Sequence, residues 1–191
     1  MKYLYTLVIC TLSTVLIACD EKPVDKSSEK IAIIPSTATL STNNISDINH
    51  DLTLIKNITE SPEMINLQSD MNQRIDSESK DGIPSIFGYM KKIMKDNNDK
   101  IDSAQLKSSE VSKIKEKLKE SFKINIKIAD KVSSMELDEN GQPVNLDDME
   151  EINNLKINLN EISEELRTDF ELLQTNIQKL ELQKNTENGA N

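Results

Sequence analysis

Residues 146–183 read LDDMEEINNLKINLNEISEELRTDFELLQTNIQKLELQ. Met149, Ile152, Leu155, Leu159, Ile162, Leu166, Phe170, Leu173, Ile177 and Leu180 recur every three or four residues. That period winds them onto one side of an α-helix. The spacing shifts around Leu166 to Phe170, as a stutter in a helical repeat does. Asn145 stands ahead of the run as an N-cap. At helical rise the segment is about 55 Å long.

Working outward, residues 105–135 carry a second stripe of Val111, Ile114, Leu118, Phe122, Ile126, Ala129 and Val132. It is about 45 Å long at the same rise. Between the two stripes, Asp138-Glu139-Asn140-Gly141-Gln142-Pro143 is a turn signal. Two long stripes joined by a turn predict an antiparallel helical hairpin. Charge agrees. Lys107 to Met135 holds eight lysines against four acids, whereas Glu136 to Glu171 holds twelve acids against Lys156 and Arg167. Opposite charge on neighbouring helices favours their contact. Each exposed pair adds only about 0–1 kcal/mol, so burial of the Ile/Leu stripes must supply the stability. Lys113, Lys115, Lys117 and Lys119 are read as complementing the acidic neighbour rather than as a patch for lipid or nucleic acid.

Further upstream, three shorter helices are expected. Ser46 or Asp47 caps the first, with Ile48, Leu52, Ile55 and Ile58 inward. Ser61-Pro62 restarts the chain, with Met64, Leu67, Met71 and Ile75 as the apolar side. Asp81-Gly82-Ile83-Pro84 breaks that helix. Ser85 caps the third, with Ile86, Tyr89 or Met90, Ile93 and Met94 inward and a stop at Asn97-Asn98-Asp99. With four glycines, three Phe, three Tyr and no Trp, a β-sandwich or doubly wound sheet is disfavoured. The expected fold class is all-α: a helical bundle dominated by the C-terminal hairpin, following a disordered tether.

The tether begins at a membrane. Lys2 precedes an apolar run from Tyr3 to Ala18, which Asp20-Glu21-Lys22-Pro23 ends abruptly. A spanning helix needs about 20 apolar residues, and this run is shorter, as a signal peptide is. It closes on Leu16-Ile17-Ala18-Cys19, an aliphatic residue, an aliphatic residue, a small residue and Cys. These four residues resemble the lipobox of bacterial lipoproteins. The resemblance implies cleavage before Cys19, a diacylglycerol thioether on its sulfur and an acyl group on its new amine. Each buried methylene contributes about 0.8 kcal/mol and one chain binds only marginally, so two or three anchor stably. In enteric-type bacteria an acid such as Asp20 after the lipidated Cys resembles the signal for retention in the inner membrane. Otherwise the address is the outer membrane or cell surface.

Four segments follow: residues 1–18 as signal peptide, 19–45 as lipidated Cys and flexible linker, 46–184 as helical domain and 185–191 as disordered tail. The linker is rich in Ser, Thr, Asp and Lys, is broken by Pro23 and Pro35, and holds one apolar run, Ile31-Ala32-Ile33-Ile34. A coil of its length reaches roughly 25–30 Å.

The search for chemistry returns little. The chain has a formal charge of −10, and removal of Lys2 with the signal makes it −11. Such a surface repels nucleic acid. Cys10 leaves with the signal and Cys19 is lipidated, so no thiol remains for a disulfide, a metal or nucleophilic catalysis. His50, the single histidine, stands without a nucleophile or acid motif and is expected at the surface. Glu136, Asp138, Asn140, Gly141 and Asp147 fall in an EF-hand-like register. Glu in place of the leading Asp, Pro143 at the usual apolar position and the short carboxylate of Asp147 favour a plain polar turn. Glu150-Glu151 and Glu164-Glu165 point apart on a helix and read as solvated surface. Asn44-Ile45-Ser46 and Asn57-Ile58-Thr59 match glycosylation acceptors, as an Asn-rich chain does by chance. No cofactor or metal is expected.

The expectation is therefore a non-enzymatic lipoprotein whose helical domain binds a protein partner at the cell envelope or surface. Phe170, Leu172, Leu173, Ile177, Leu180 and Leu182 form the candidate contact surface, because these apolar residues cover more than one side of the helix. In architecture the chain resembles helical surface lipoproteins that bind host proteins. It equally resembles periplasmic accessory lipoproteins of the pilotin, exclusion or immunity type. An envelope structural spacer is the other reading.

Overall fold

The computed structural model describes residues 39–77, 83–136, 138 and 143–188. The expected signal peptide, Cys19 and the expected tether through residue 38 lie outside them. Five helices follow in order: α1 (Ile45–Thr59), α2 (Pro62–Ser77), α3 (Ile83–Ser103), α4 (Ser109–Ser134) and α5 (Leu146–Asn188). Among the described residues no strand forms, and one isolated parallel bridge joins Ser41 to Ser108. The fold is an all-α bundle.

Local chemistry sets the helix starts. The cap of α1 is Asn44, not Ser46 or Asp47. Its Oδ1 accepts from the amides of Ser46 and Asp47 at 3.1 and 3.3 Å. Asn43 ahead of it has φ 58°, in the left-handed region that a short polar side chain tolerates. Pro62 opens α2 as its first residue, and Ser61 Oγ accepts from the amide of Met64 at 3.4 Å. Ser108 caps α4, its Oγ accepting from the amide of Val111 at 3.3 Å, so this helix begins later than the stripe from residue 105 suggests. Asn145 Oδ1 accepts from Asp147 at 3.0 Å, as expected. Helix α5 continues to Asn188, past the limit at 184 that its stripe suggests.

Two expectations for α3 fail. It begins at Ile83, so Ser85 lies inside it, and it runs through Asn97-Asn98-Asp99 to Ser103. Asn97 is 1% exposed, and its Nδ2 donates to the carbonyl of Ile93 at 2.9 Å. Its Oδ1 lies 3.5 Å from Ser61 Oγ, at the start of α2. A neighbouring helix end covers an amide that the sequence alone places at a solvated stop. Ile101, fully buried one turn later, holds the helix in register.

The core gathers Ile48 and Ile55 of α1, Met64, Leu67 and Met71 of α2, and Ile86, Phe87, Met90, Ile93, Met94 and Ile101 of α3. From the last two helices come Val111, Ile114, Leu118, Phe122, Ile128 and Val132 of α4 and Ile152, Leu159, Ile162, Leu166 and Leu173 of α5. Ion pairs record the directions. Lys117 of α4 meets Glu165 and Asp169 of α5 at 2.9 and 2.8 Å, and Lys131 meets Glu151 at 2.5 Å. A later residue in one pairs with an earlier residue in the other, so the hairpin is antiparallel. Lys119 pairs with Asp102 of α3 at 2.6 Å, and Lys91 of α3 pairs with Asp130, so α3 is antiparallel to α4 too. Helix α4 lies between α3 and α5, and its seam with α3 is the more extensive. The C-terminal hairpin supplies the two longest helices, and α4 carries a second seam with α3.

Candidate interaction surface

The chain enters the bundle at one defined point. Asp51 of α1 is fully buried, and its Oδ2 accepts from the amides of Lys107 and Ser108 at 2.7 Å each. These two groups lead into α4, where free N–H groups and the helix dipole favour a carboxylate. The turn so organised receives residues 41–43. Ser41 donates its N–H to the carbonyl of Lys107 at 2.7 Å, and Ser109 donates to the carbonyl of Ser41 at 2.9 Å. Asn43 donates its N–H to Glu110 Oε1 at 2.8 Å. Burial pushes the Glu110 carboxyl up, but the Asn43 amide, its own backbone N–H and the Ser109 hydroxyl outweigh that and hold it below the usual range. Asn176 of α5 donates from Nδ2 to Asn43 Oδ1 at 3.0 Å. The strap of residues 41–43 thus joins α1, α4 and α5 at a single end of the molecule.

Helix α5 passes that end and continues. With 43 residues it is about 65 Å long, against about 39 Å for the 26 residues of α4. Its last residue packed on the core is Ile177. At the other end the α4–α5 turn exposes Val144 and Leu146, at 60% and 77%.

The six residues of the candidate contact surface divide. Leu173 is buried in the chain's own core, and Phe170 and Ile177 are half-buried against it. Leu180 is half-buried, one turn beyond the last packed residue. Leu172 and Leu182 are exposed, at 63% and 67%. Ile157 and Leu146 are exposed apolar residues of the same helix that the sequence reading did not single out. At 100° per residue, Leu146, Ile157, Leu172 and Leu182 fall on the side opposite the buried stripe. Acids Glu150, Glu161, Glu164 and Glu171 stand among them, all exposed. The signal was present in the sequence: these residues sit off the period of the stripe, and only the covered side is periodic.

Of the four lysines, Lys117 meets acids of α5 and Lys119 meets an acid of α3. Hydrogen bonds that Lys117 donates to Asp169 and Glu165 hold its amine above the usual lysine range. A bond to Asp102 does the same for Lys119. Lys115 donates to the carbonyls of Asp102 and Ala104 at 2.8 Å each, closing the end of α3. Burial, with help from Lys119, pulls its amine down. Lys113 is exposed. A shallow depression on the α4–α5 seam is lined by Glu164, Thr168 and the ion-paired Lys117, Glu165 and Asp169.

His50 is exposed on α1. Among the described residues no group of three or more His, Cys, Asp or Glu is placed to hold a metal ion. Residues 137 and 139–142 of the EF-hand-like register lie outside the described residues. No described helix is long and apolar enough to cross a membrane.

A family model described as "Uncharacterised lipoprotein PM1805" matches residues 49–185. Neither a curated protein nor a solved structure matches the chain. The matched span covers the bundle from α1 almost to the end of α5, so the chain belongs to this lipoprotein family. Membership implies a membrane-anchored address in the cell envelope.

Proposed function

We propose, on the premise of that membership, that the chain is a non-catalytic lipoprotein, anchored through Cys19, whose bundle binds a protein partner along the outer side of α5. The observation that supports this reading is the exposure of Ile157, Leu172 and Leu182 on that side, at 56%, 63% and 67%. The same helix buries Leu159, Leu166 and Leu173 on its inner side, so its own fold is already served. Scattered apolar residues are ordinary on a protein surface, but several on one side of one long helix make a helix-in-groove contact available. Where the enteric sorting rule operates, Asp20 keeps the protein in the inner membrane, facing the periplasm.

A photo-crosslinking amino acid at Leu172 or Leu182, in the lipidated chain within its own envelope, tests the reading. A discrete adduct with another protein is expected from both positions and not from Lys123, which is exposed on α4. Equal yields from all three positions, or no adduct from any, would remove the proposal. The alternative of a structural spacer draws on the length of α5. It predicts adducts between copies of this chain instead.

A further inference from the structure

The acids of α5 are unequally employed. Those that flank its buried stripe face α4, where Glu165 and Asp169 pair with Lys117, and Asp148 and Glu151 with Lys131. The outer side has fewer cations to meet its acids. Arg167, at the edge of that side, is shared between Glu164 and Glu171 at 2.8 Å to each. Among the described residues no cation pairs with Glu150 or Glu161, and both are exposed. They stand seven positions before and four after Ile157, on its side of the helix. Lys179, further along, adds one base to that side.

We infer that the partner of α5 is a basic amphipathic helix, whose apolar stripe meets Ile157 and Leu172 and whose flanking Lys or Arg side chains reach Glu150, Glu161 and Glu164. The inference rests on the proposed reading that the outer side of α5 is a contact surface, and it names the chemistry of what that surface contacts. Charge complementarity carries it. Helix α5 holds eleven acids against four bases. Its inner side is met by the segment from Lys107 to Met135, with eight lysines against four acids. The outer side repeats the arrangement of apolar residues among acids, and no described helix lies over it. Ile157 and Leu172 are 15 positions apart, about 22 Å at helical rise, so a partner of about five turns covers both. A second copy of this chain brings the same glutamates to the contact and adds like charge. An acidic partner leaves Glu150 and Glu161 without a counter-charge.

Charge reversal combined with photo-crosslinking from Leu172, in the lipidated chain within its own envelope, tests the inference. Glu150→Lys and Glu161→Lys change the outer side, and Glu120→Lys on α4 is the control. All three glutamates are exposed, and each reversal shifts the net charge equally. Adduct yield is expected to fall several-fold with Glu150→Lys or Glu161→Lys and to change little with Glu120→Lys. The crosslinked peptide of the partner, sequenced by mass spectrometry, is expected to carry net positive charge. Equal yields from the three variants would overturn the inference, and an adduct that persists in all of them would leave the contact surface standing. A crosslinked peptide that is acidic, or that comes from a second copy of this chain, would overturn it too. No adduct from the chain with its native glutamates would refute the proposed reading, and the inference with it. Circular dichroism on the purified variants checks that the helices are retained.

Discussion

Helices α4 and α5 are both long, amphipathic and rich in charge, yet they live differently. Helix α4 is flanked by α3 and α5 and buries Leu118, Phe122, Ile124 and Ile128 around much of its circumference. Ser121 and Asn125 are drawn into the same interior, where Asn125 Nδ2 donates to the carbonyl of Ser121 at 3.0 Å. Helix α5 lies at the edge. It buries one stripe, leaves the opposite side to solvent and outruns its neighbour. The difference teaches that burial on a helix follows the number of its neighbours, not the strength of its own period. A central helix is covered over much of its circumference, whereas an edge helix keeps one side for display.

Side-chain truncation should break this contrast most visibly. Leu118→Ala in α4 removes a side chain that is 3% exposed, and such core truncations cost about 2–5 kcal/mol. Leu172→Ala in α5 should stay within about 0.5 kcal/mol, as surface changes do. Urea unfolding of both variants measures the gap, and similar costs would mean that α5 is covered on its outer side as well.

Asp51 sharpens the contrast at the node where the chain joins α4. Asp51→Ala leaves the amides of Lys107 and Ser108 without their acceptor, a loss of about 1–3 kcal/mol. Hydrogen exchange should accelerate at Lys107, Ser108 and Ser109, while the middle of α5 retains its protection. Uniform acceleration along α5 would show that the node supports the whole bundle rather than one end.

The smallest expected effect lies on the seam between the two helices. Lys117 pairs with both Glu165 and Asp169, and its replacement by Met should cost no more than about 1 kcal/mol. Because folding raises the pKa of Lys117, its contribution is full below the ordinary value of 10.5 and fades as pH rises through the higher folded value. The stability difference between wild type and Lys117→Met should therefore shrink towards zero in strongly alkaline buffer. A difference that persists there would assign the effect to packing of the lysine stem instead.

Much of this was legible in the residues. The stripe from Met149 to Ile177 foretold α5, and the turn signal between the two long segments foretold their antiparallel pairing, which their opposite charges favour. Ser61-Pro62 and Asn145 marked helix starts by local hydrogen bonding alone. Asn97 misled because an amide reads as a stop until a neighbour covers it. Asp51 drew no attention because an isolated acid on a helix is ordinarily solvated. Its partners lie more than fifty positions away, at Lys107 and Ser108.

What the residues indicated unaided is a lipoprotein, which the family match supports, and the helices. Leu16-Ile17-Ala18-Cys19 resembles a contiguous four-residue signal, and helical period and capping are short-range properties that the chain carries wherever it folds. Tertiary structure alone decided that the outer side of the C-terminal helix stays uncovered, with Ile157, Leu172 and Leu182 exposed. It also decided which end holds the strap and where a buried carboxylate was needed. Those outcomes depend on contacts between segments far apart in sequence, and a one-dimensional pattern holds no record of the neighbour that arrives.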